Sequence, residues 1–272
     1  MALLPDMVRM LVRPDGSSFD IHSESVVNLG RTGVILRHGE GVLKIPKLIE
    51  VNALSSAGAY HVENMNEMSL MAFEDEVEVY KRMGAHEGLI ECFGVSAQGI
   101  ELAFAAQGDL HSYIIAKPEQ SEAMKAAWIF SLAKTVSYIH SRKVLIDDLV
   151  LANILVAEDQ SLKLADFGQS HLLPLTAELD MTCQEGVTVK VDIFRLGWVF
   201  YSIAVWSVHD SSLCKDGEVC WPEPDNLPAT SHLACGKVIQ NCWTGQYSRM
   251  ETLIMELQAL GTRDIARVTR LQ

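Results

Sequence analysis

Three polar side chains stand at a spacing that can do chemistry. Asn153 lies five residues after Asp148, and Asp166 lies thirteen residues after Asn153. Between them run Leu149-Val150-Leu151-Ala152 and then Ile154-Leu155, and the last aspartate opens Asp166-Phe167-Gly168. A carboxylate and an amide so separated, Asp166 and Asn153, can hold Mg2+ against a nucleotide triphosphate. Asp148 is then left to accept a proton from a hydroxyl. Asp-Phe-Gly alone is a weak signal. D-x-x-x-x-N, a short apolar hairpin and then Asp-Phe-Gly together form a strong one.

Such groups need a scaffold, and the chain offers two kinds in succession. Residues 1–105 alternate short β-like runs with turns at Met7–Val12, Ser25–Leu29, Gly33–Leu36, Gly41–Ile45, Ile90–Val95 and Ile100–Phe104, punctuated by Gly, Asp and Asn. One helical pattern interrupts them at about Glu63–Met83, with Met68, Met71, Phe73, Val77 and Tyr80 near a three-to-four spacing. From Leu110 onward helical patterns dominate: Ala123–Ser141, Val191–Ser207, Leu233–Trp243 and Arg249–Leu260. The sequence therefore predicts an α+β pair of lobes: a β-rich N-lobe with one main helix over 1–105 and a helical C-lobe over 106–272, with a hinge near Ala105–Gln107.

Composition narrows the function classes. The chain has 272 residues, 49% of them hydrophobic, enough for a sizeable core. A net charge of −13 argues against nucleic acid as a partner, because nothing would neutralise phosphates over a broad face. Six cysteines and nine histidines show neither C-x-x-C nor H-x-x-x-H, so a zinc site is not expected. The start Met1-Ala2-Leu3-Leu4-Pro5-Asp6 lacks the basic and apolar regions of a signal peptide, and Leu196–Trp206 is too short to span a bilayer. A cytoplasmic protein without a membrane partner is expected, the nucleus not being excluded.

From about Val26 to Leu260 the order of motifs resembles the eukaryotic protein kinase domain, in particular the short, divergent single-domain kinase-like proteins common in filamentous fungi. The resemblance implies the two-lobed kinase fold, with ATP and Mg2+ as cofactors. It also implies roles. Val42-Leu43-Lys44 lies where the family has its V-A-I-K strand, so Lys44 would contact the α- and β-phosphates; its other reading is a surface lysine on an edge strand. Glu76 is the best carboxylate to pair with it, with Glu74 and Glu78 as alternatives. The long gap from Lys44 to Glu76 is expected to hold an extra loop at Val51–Tyr60. Gly30 and Gly33 match a shortened phosphate-covering loop, and Ile35 would pack on adenine; an ordinary hairpin turn is the alternative. Backbone groups near Ala103 and Ala105 would bond adenine, and Leu155 would floor the pocket. Asp109 would reach a ribose hydroxyl or cap the next helix. Asp148 would be the catalytic base, and Asn153 and Asp166 the metal ligands. Asp192-Ile193-Phe194-Arg195-Leu196-Gly197 resembles the D-V-F-S-L-G segment, whose buried aspartate holds the catalytic-loop backbone; Cys242-Trp243 and Arg249 resemble the late C-W…R element.

The chain also departs from the pattern. H-R-D is here Ile146-Asp147-Asp148, so an acid stands where an arginine normally binds an activation-loop phosphate. Any activity is therefore expected not to depend on phosphate at Ser170, Thr176 or Thr182. Val150 replaces the lysine that steadies the γ-phosphate. The segment from Asp166 to Asp192 is short and lacks A-P-E; Gln184-Glu185 alone hints at its end, and Glu185 is expected to pair with Arg249. The implied activity is ATP-dependent transfer to Ser or Thr hydroxyls of a protein substrate. The alternatives are a pseudokinase acting as a nucleotide-binding scaffold and a small-molecule phosphotransferase.

Overall fold

The chain folds into strands and helices whose order separates a β-rich part from a helical part. A computed structural model describes residues 11–18, 26–51, 56–96, 98–179, 182–184, 186–210, 214–215, 218–219 and 221–268, with side chains described as far as residue 260 apart from Ser56 and those of 214–219. Two compact units result. The first comprises Met1–Ala85, Ile90–Phe104 and Asp166–Ser170, and the second His86–Leu89, Ala105–Ala165 and His171–Gln272. The first is rich in antiparallel strands with one main helix and the second is largely helical, which is the α+β, two-lobed kinase-like fold class.

In the first unit, β1 (Leu11–Val12) pairs with β5 (Leu48–Ile49). The main sheet runs β2 (Val26–Leu29), β3 (Gly33–His38), β4 (Gly41–Pro46), β7 (Gly99–Leu102), β6 (Cys92–Ser96), all neighbours antiparallel. Strand β3 buries Val34 and Leu36 and leaves Ile35 and Arg37 less covered, the period-2 pattern of a half-buried strand. Strand β4 is buried continuously from Val42 to Pro46. It lies between β3 and β7, so Lys44 is on the central strand and not on an edge. Leu11, Val34, Leu36, Leu43 and Ile45 form a common apolar cluster.

Helix α1 (Ser56–Met83) has 28 residues, about 42 Å of helix. It starts well before the expected Glu63, and Ser56–Tyr60 is helical where a loop was expected; residues 52–55 lie outside the described set. The first turns carry small and polar residues with no apolar stripe, so periodicity is silent there. A tertiary contact further along ties the helix to β5: the Asn66 amide donates to Ile49 O at 2.9 Å and its Oδ1 accepts from Ile49 N at 2.8 Å. Further along, Ser69, Glu76, Val79, Tyr80 and Met83 are buried at helical spacing. The helix stops at Gly84, whose φ of +63° favours glycine, with Lys81 and Arg82 in the last turn complementing its dipole.

The second unit contains α2 (Leu110–Ala116), α3 (Glu122–Ser141), α4 (Val189–Val205), α5 (Gly236–Trp243) and α6 (Met250–Val268). Ser121 and Thr188 cap α3 and α4 with their hydroxyls. Helix α4 is buried along most of its length. A Cβ on Gly197 would come within 2.7 Å of Cys242 Cβ, so glycine is what lets α5 lie against α4 here. Two short pairings frame the loop of interest: β8 (Val144–Leu145) with β11 (His171–Leu172), and the hairpin β9 (Ile154–Val156) to β10 (Leu162–Leu164). Among the described residues, no helix is long and apolar enough to cross a membrane.

Candidate active site

Two polar constellations emerge, one in each unit. In the first unit, Lys44 Nζ lies 2.5 Å from Glu76 Oε2 and 2.8 Å from Asp166 Oδ1. Of the three acids at 74, 76 and 78, only Glu76 faces inward; its side chain is 1% exposed, that of Lys44 8%, and that of Asp166 51%. Burial works against the charge on Lys44, but the two carboxylates outweigh it and hold its pKa above the usual lysine value. Burial raises the Glu76 carboxyl, with Asp166 adding to the rise and Lys44 opposing it. At Asp166 burial is outweighed by Lys44, which holds the carboxyl below its ordinary value. One cation thus faces two carboxylates, and the excess negative charge sits on the more exposed one.

The backbone around Asp166 is fixed by the same group. Glu76 Oε1 accepts from Phe167 N at 3.2 Å. The fully buried Phe167 ring meets Tyr80 edge-on at 5.4 Å between centroids. Asp166 itself has φ +61°, a left-handed conformation that costs a non-glycine residue of order 1–3 kcal/mol and persists only under such constraint. Ile35 stands across from Lys44 in the β3–β4 register. Gly30 N donates to Gly33 O at 2.9 Å, closing the turn before β3. A Cβ on Gly33 would meet Lys44 Cε at 3.0 Å, so the glycine gives the lysine its room. Ala103 N donates to Glu91 O at 2.9 Å.

In the second unit, Asn153 Nδ2 donates to Asp148 O at 2.9 Å and to Asp148 Oδ2 at 3.0 Å. Asn153 ends a short 3-10 turn (Leu151–Asn153) that leads directly into β9. Beneath the loop, Asp192 on α4 is fully buried. Its Oδ2 accepts from Ile146 N at 2.9 Å and meets His140 Nε2 at 2.8 Å, and its Oδ1 accepts from Asp147 N at 3.0 Å. Asp147 has φ +59°, and its Oδ1 lies 3.0 Å from Arg195 Nη2. Asp109 caps α2: Ser112 N donates to its Oδ1 at 2.8 Å and Ser112 Oγ to its Oδ2 at 2.9 Å. Asp109 also bridges antiparallel to Leu155 on β9.

Lys44, Glu76 and Asp166 are therefore one set, Asp148 and Asn153 another, each described within its own unit. Glu185, expected to meet Arg249, lies outside the described residues. Sequence reasoning gave no role to Arg195 or His140. The acid at position 147 was a usable signal, since a half-buried carboxylate needs a cation, but nothing in the sequence says it comes from residue 195. Among the described residues, no group of three His, Cys, Asp or Glu side chains could hold a metal.

A β-rich unit with a buried lysine–glutamate pair and a helical unit carrying an aspartate–asparagine loop define a kinase-like domain. The sequence profile of the protein kinase domain matches residues 57–208. The chain belongs to the protein kinase domain family. It is 34% identical over 158 residues to an Aurora kinase of Schizosaccharomyces pombe, covering 52% of this chain and 44% of that protein. It is 27% identical over 135 residues to the mitogen-activated protein kinase kinase kinase dlk-1 of Caenorhabditis briggsae, covering 43% of this chain and 16% of that protein. It is 32% identical over 111 residues to human NUAK family SNF1-like kinase 2, covering 39% of this chain and 18% of that protein. The matched stretches thus span less than half the length of each relative.

Proposed function

We propose that this domain transfers the γ-phosphoryl group of ATP, with Mg2+, to Ser or Thr hydroxyls of a protein, that it is a divergent member of its family and that it acts in the cytoplasm. The observation that carries the reading is Lys44 held between Glu76 and Asp166. Phosphoryl transfer demands little covalent chemistry from the protein and much positioning of charge. Lys44, kept protonated by its two acids, would orient the α- and β-phosphates. Asp148 would accept the proton of the attacking hydroxyl, steadied by the Asn153 amide.

The donor set fits a hard divalent ion. The Asn153 amide nitrogen is committed to Asp148, which leaves its carbonyl oxygen as ligand, and Asp166 supplies a half-exposed carboxylate with charge to spare. Mg2+ held by Asn153 and Asp166 would neutralise phosphate charge as it develops. Ala103 N is used within its own unit, so the Ala103 carbonyl and the Ala105 N–H are the groups we assign to adenine. Gly30 and Gly33 would cover the phosphates, Ile35 would pack on adenine, Leu155 would floor the adenine pocket, and Asp109, though it caps α2, would reach the ribose.

Purified protein with labelled ATP, Mg2+ and a generic protein substrate tests the reading. Label should enter the substrate and be lost in Asp148→Asn. Phosphatase treatment should leave activity intact, because Asp147 offers no cation to a loop phosphate. A second reading, a nucleotide-binding scaffold, is favoured by Asp147 and Val150 standing where the family has cations. It predicts a rise in melting temperature with millimolar Mg-ATP but no turnover. No shift at all would sink both readings.

A further inference from the structure

Asp147 is fixed twice by one helix. Asp192 and Arg195 are three residues apart on α4 and therefore on one face. Asp192 accepts the Asp147 N–H, and Arg195 pairs with the Asp147 side chain at 3.0 Å. The pair is partly withdrawn from water, 24% exposed at Asp147 and 28% at Arg195. Asp147 needs this grip, because its φ of +59° is a conformation that a non-glycine residue keeps only when its surroundings over-determine it. Asp148 is the next residue, and Asp148 N donates back to Ile146 O at 2.8 Å across the turn. Charge tells the same story. Burial raises the Asp147 carboxyl, Asp192 and Asp148 push the same way, and Arg195 and His171 oppose them. Arg195 is the cation paired with Asp147, which has Asp148 and Asp192 as acidic neighbours. It also lines, with Asp148, a cavity of about 400 Å³ whose other walls include Leu149, Trp198 and His209.

We propose that Arg195 is a positioning residue: from α4 it holds the Asp147 turn that sets Asp148, so the cation missing from the loop has moved to the helix. This rests on Asp148 being the proton acceptor, but the geometry it asserts can be read without activity.

The test is a charge swap in the full chain. Arg195→Asp places acid against acid, Asp147→Arg places cation against cation, and Asp147→Arg/Arg195→Asp restores an opposed pair. Two readouts are taken: kcat and KM for ATP with a protein substrate, and the Asp147 and Asp148 amide resonances of the nucleotide-free protein. Each single variant should lower kcat roughly tenfold or more with KM for ATP changed less than about twofold, and the double variant should recover most of that loss. Both resonances should move in Arg195→Asp, and in the double the Asp148 amide should lie nearer its original place than in Asp147→Arg. Arg195→Lys, which keeps the charge, should stay nearer the parent than Arg195→Gln, and this pair decides if a swap variant fails to fold. Singles that leave both amides unmoved, or a double no closer to the parent than the worse single, would overturn the proposal. A parent protein without phosphotransfer would count against the proposed function, and the amide resonances would still decide the role of Arg195.

Discussion

Replacing Lys44 by Met keeps most of the length of the side chain and deletes its charge, leaving Glu76 and Asp166 without their shared cation. Asp166 is half exposed and can turn to water, whereas Glu76 is 1% exposed and cannot. Stranding one member of a buried pair costs about 3–5 kcal/mol, against about 0–1 for an exposed pair. For a chain of this size that is a fall in melting temperature of roughly 6–20 °C. The loss should depend on pH with a definite sign. Burial and Asp166 already raise the folded-state pKa of Glu76, and Lys44 opposes them. Without Lys44 the folded pKa rises further above the unfolded value, so the folded state binds the extra proton. Stability of the variant should then increase as pH falls from neutral through that raised pKa, and the gap to the parent should narrow. Adding Glu76→Leu should recover most of the loss at neutral pH, because no buried charge is left unpaired. The assay is calorimetry at several pH values. Tryptophan fluorescence is unsuitable, since all five tryptophans lie in the second unit and the pair lies in the first. A Lys44→Met protein melting within about 2 °C of the parent at neutral pH would refute the argument: the Glu76 site would have to be wet enough to hold a lone carboxylate.

Two further outcomes follow from the second unit. Asp192→Ala removes the acceptor for Ile146 N, Asp147 N and His140 at once, and should cost about 3–5 kcal/mol by tryptophan-monitored denaturation; a loss under about 1 would mean the loop backbone finds other partners. His86 stacks on Tyr138 at 4.0 Å and accepts from Gly88 N at 3.1 Å, and burial, aided by Lys134 and Lys163 against Glu87, holds its pKa below 6.5. Its contribution is full above the unfolded pKa and is lost as pH falls through the folded one, so the melting temperature should drop more between about pH 7.5 and 5.5 in the parent than in His86→Gln. Equal drops would show that His86 does not titrate differently in the two states.

The sequence by itself determined the family and the order of elements. Alternation in Gly33–Leu36 and the apolar run at Gly41–Ile45 marked β3 and β4, because a strand's side chains face opposite ways with period 2. The apolar periodicity of Ala123–Ser141 marked α3 almost to the residue. The contact of Asn153 with Asp148 was within reach of the sequence too, since five residues on one short loop limit how far apart the two can lie. Tertiary structure decided the rest. Local pattern could not choose among Glu74, Glu76 and Glu78. Glu76 faces Lys44 because it shares a helical face with Ser69, Val79, Tyr80 and Met83, and that face is the buried one. The docking of α1 on β5 uses Asn66 gripping Ile49, seventeen residues away. The pairing of Asp147 with Arg195 joins two segments separated by a whole hairpin and activation segment. Such contacts are fixed by how elements pack, and a single sequence records the charges that must be balanced without recording which ones meet.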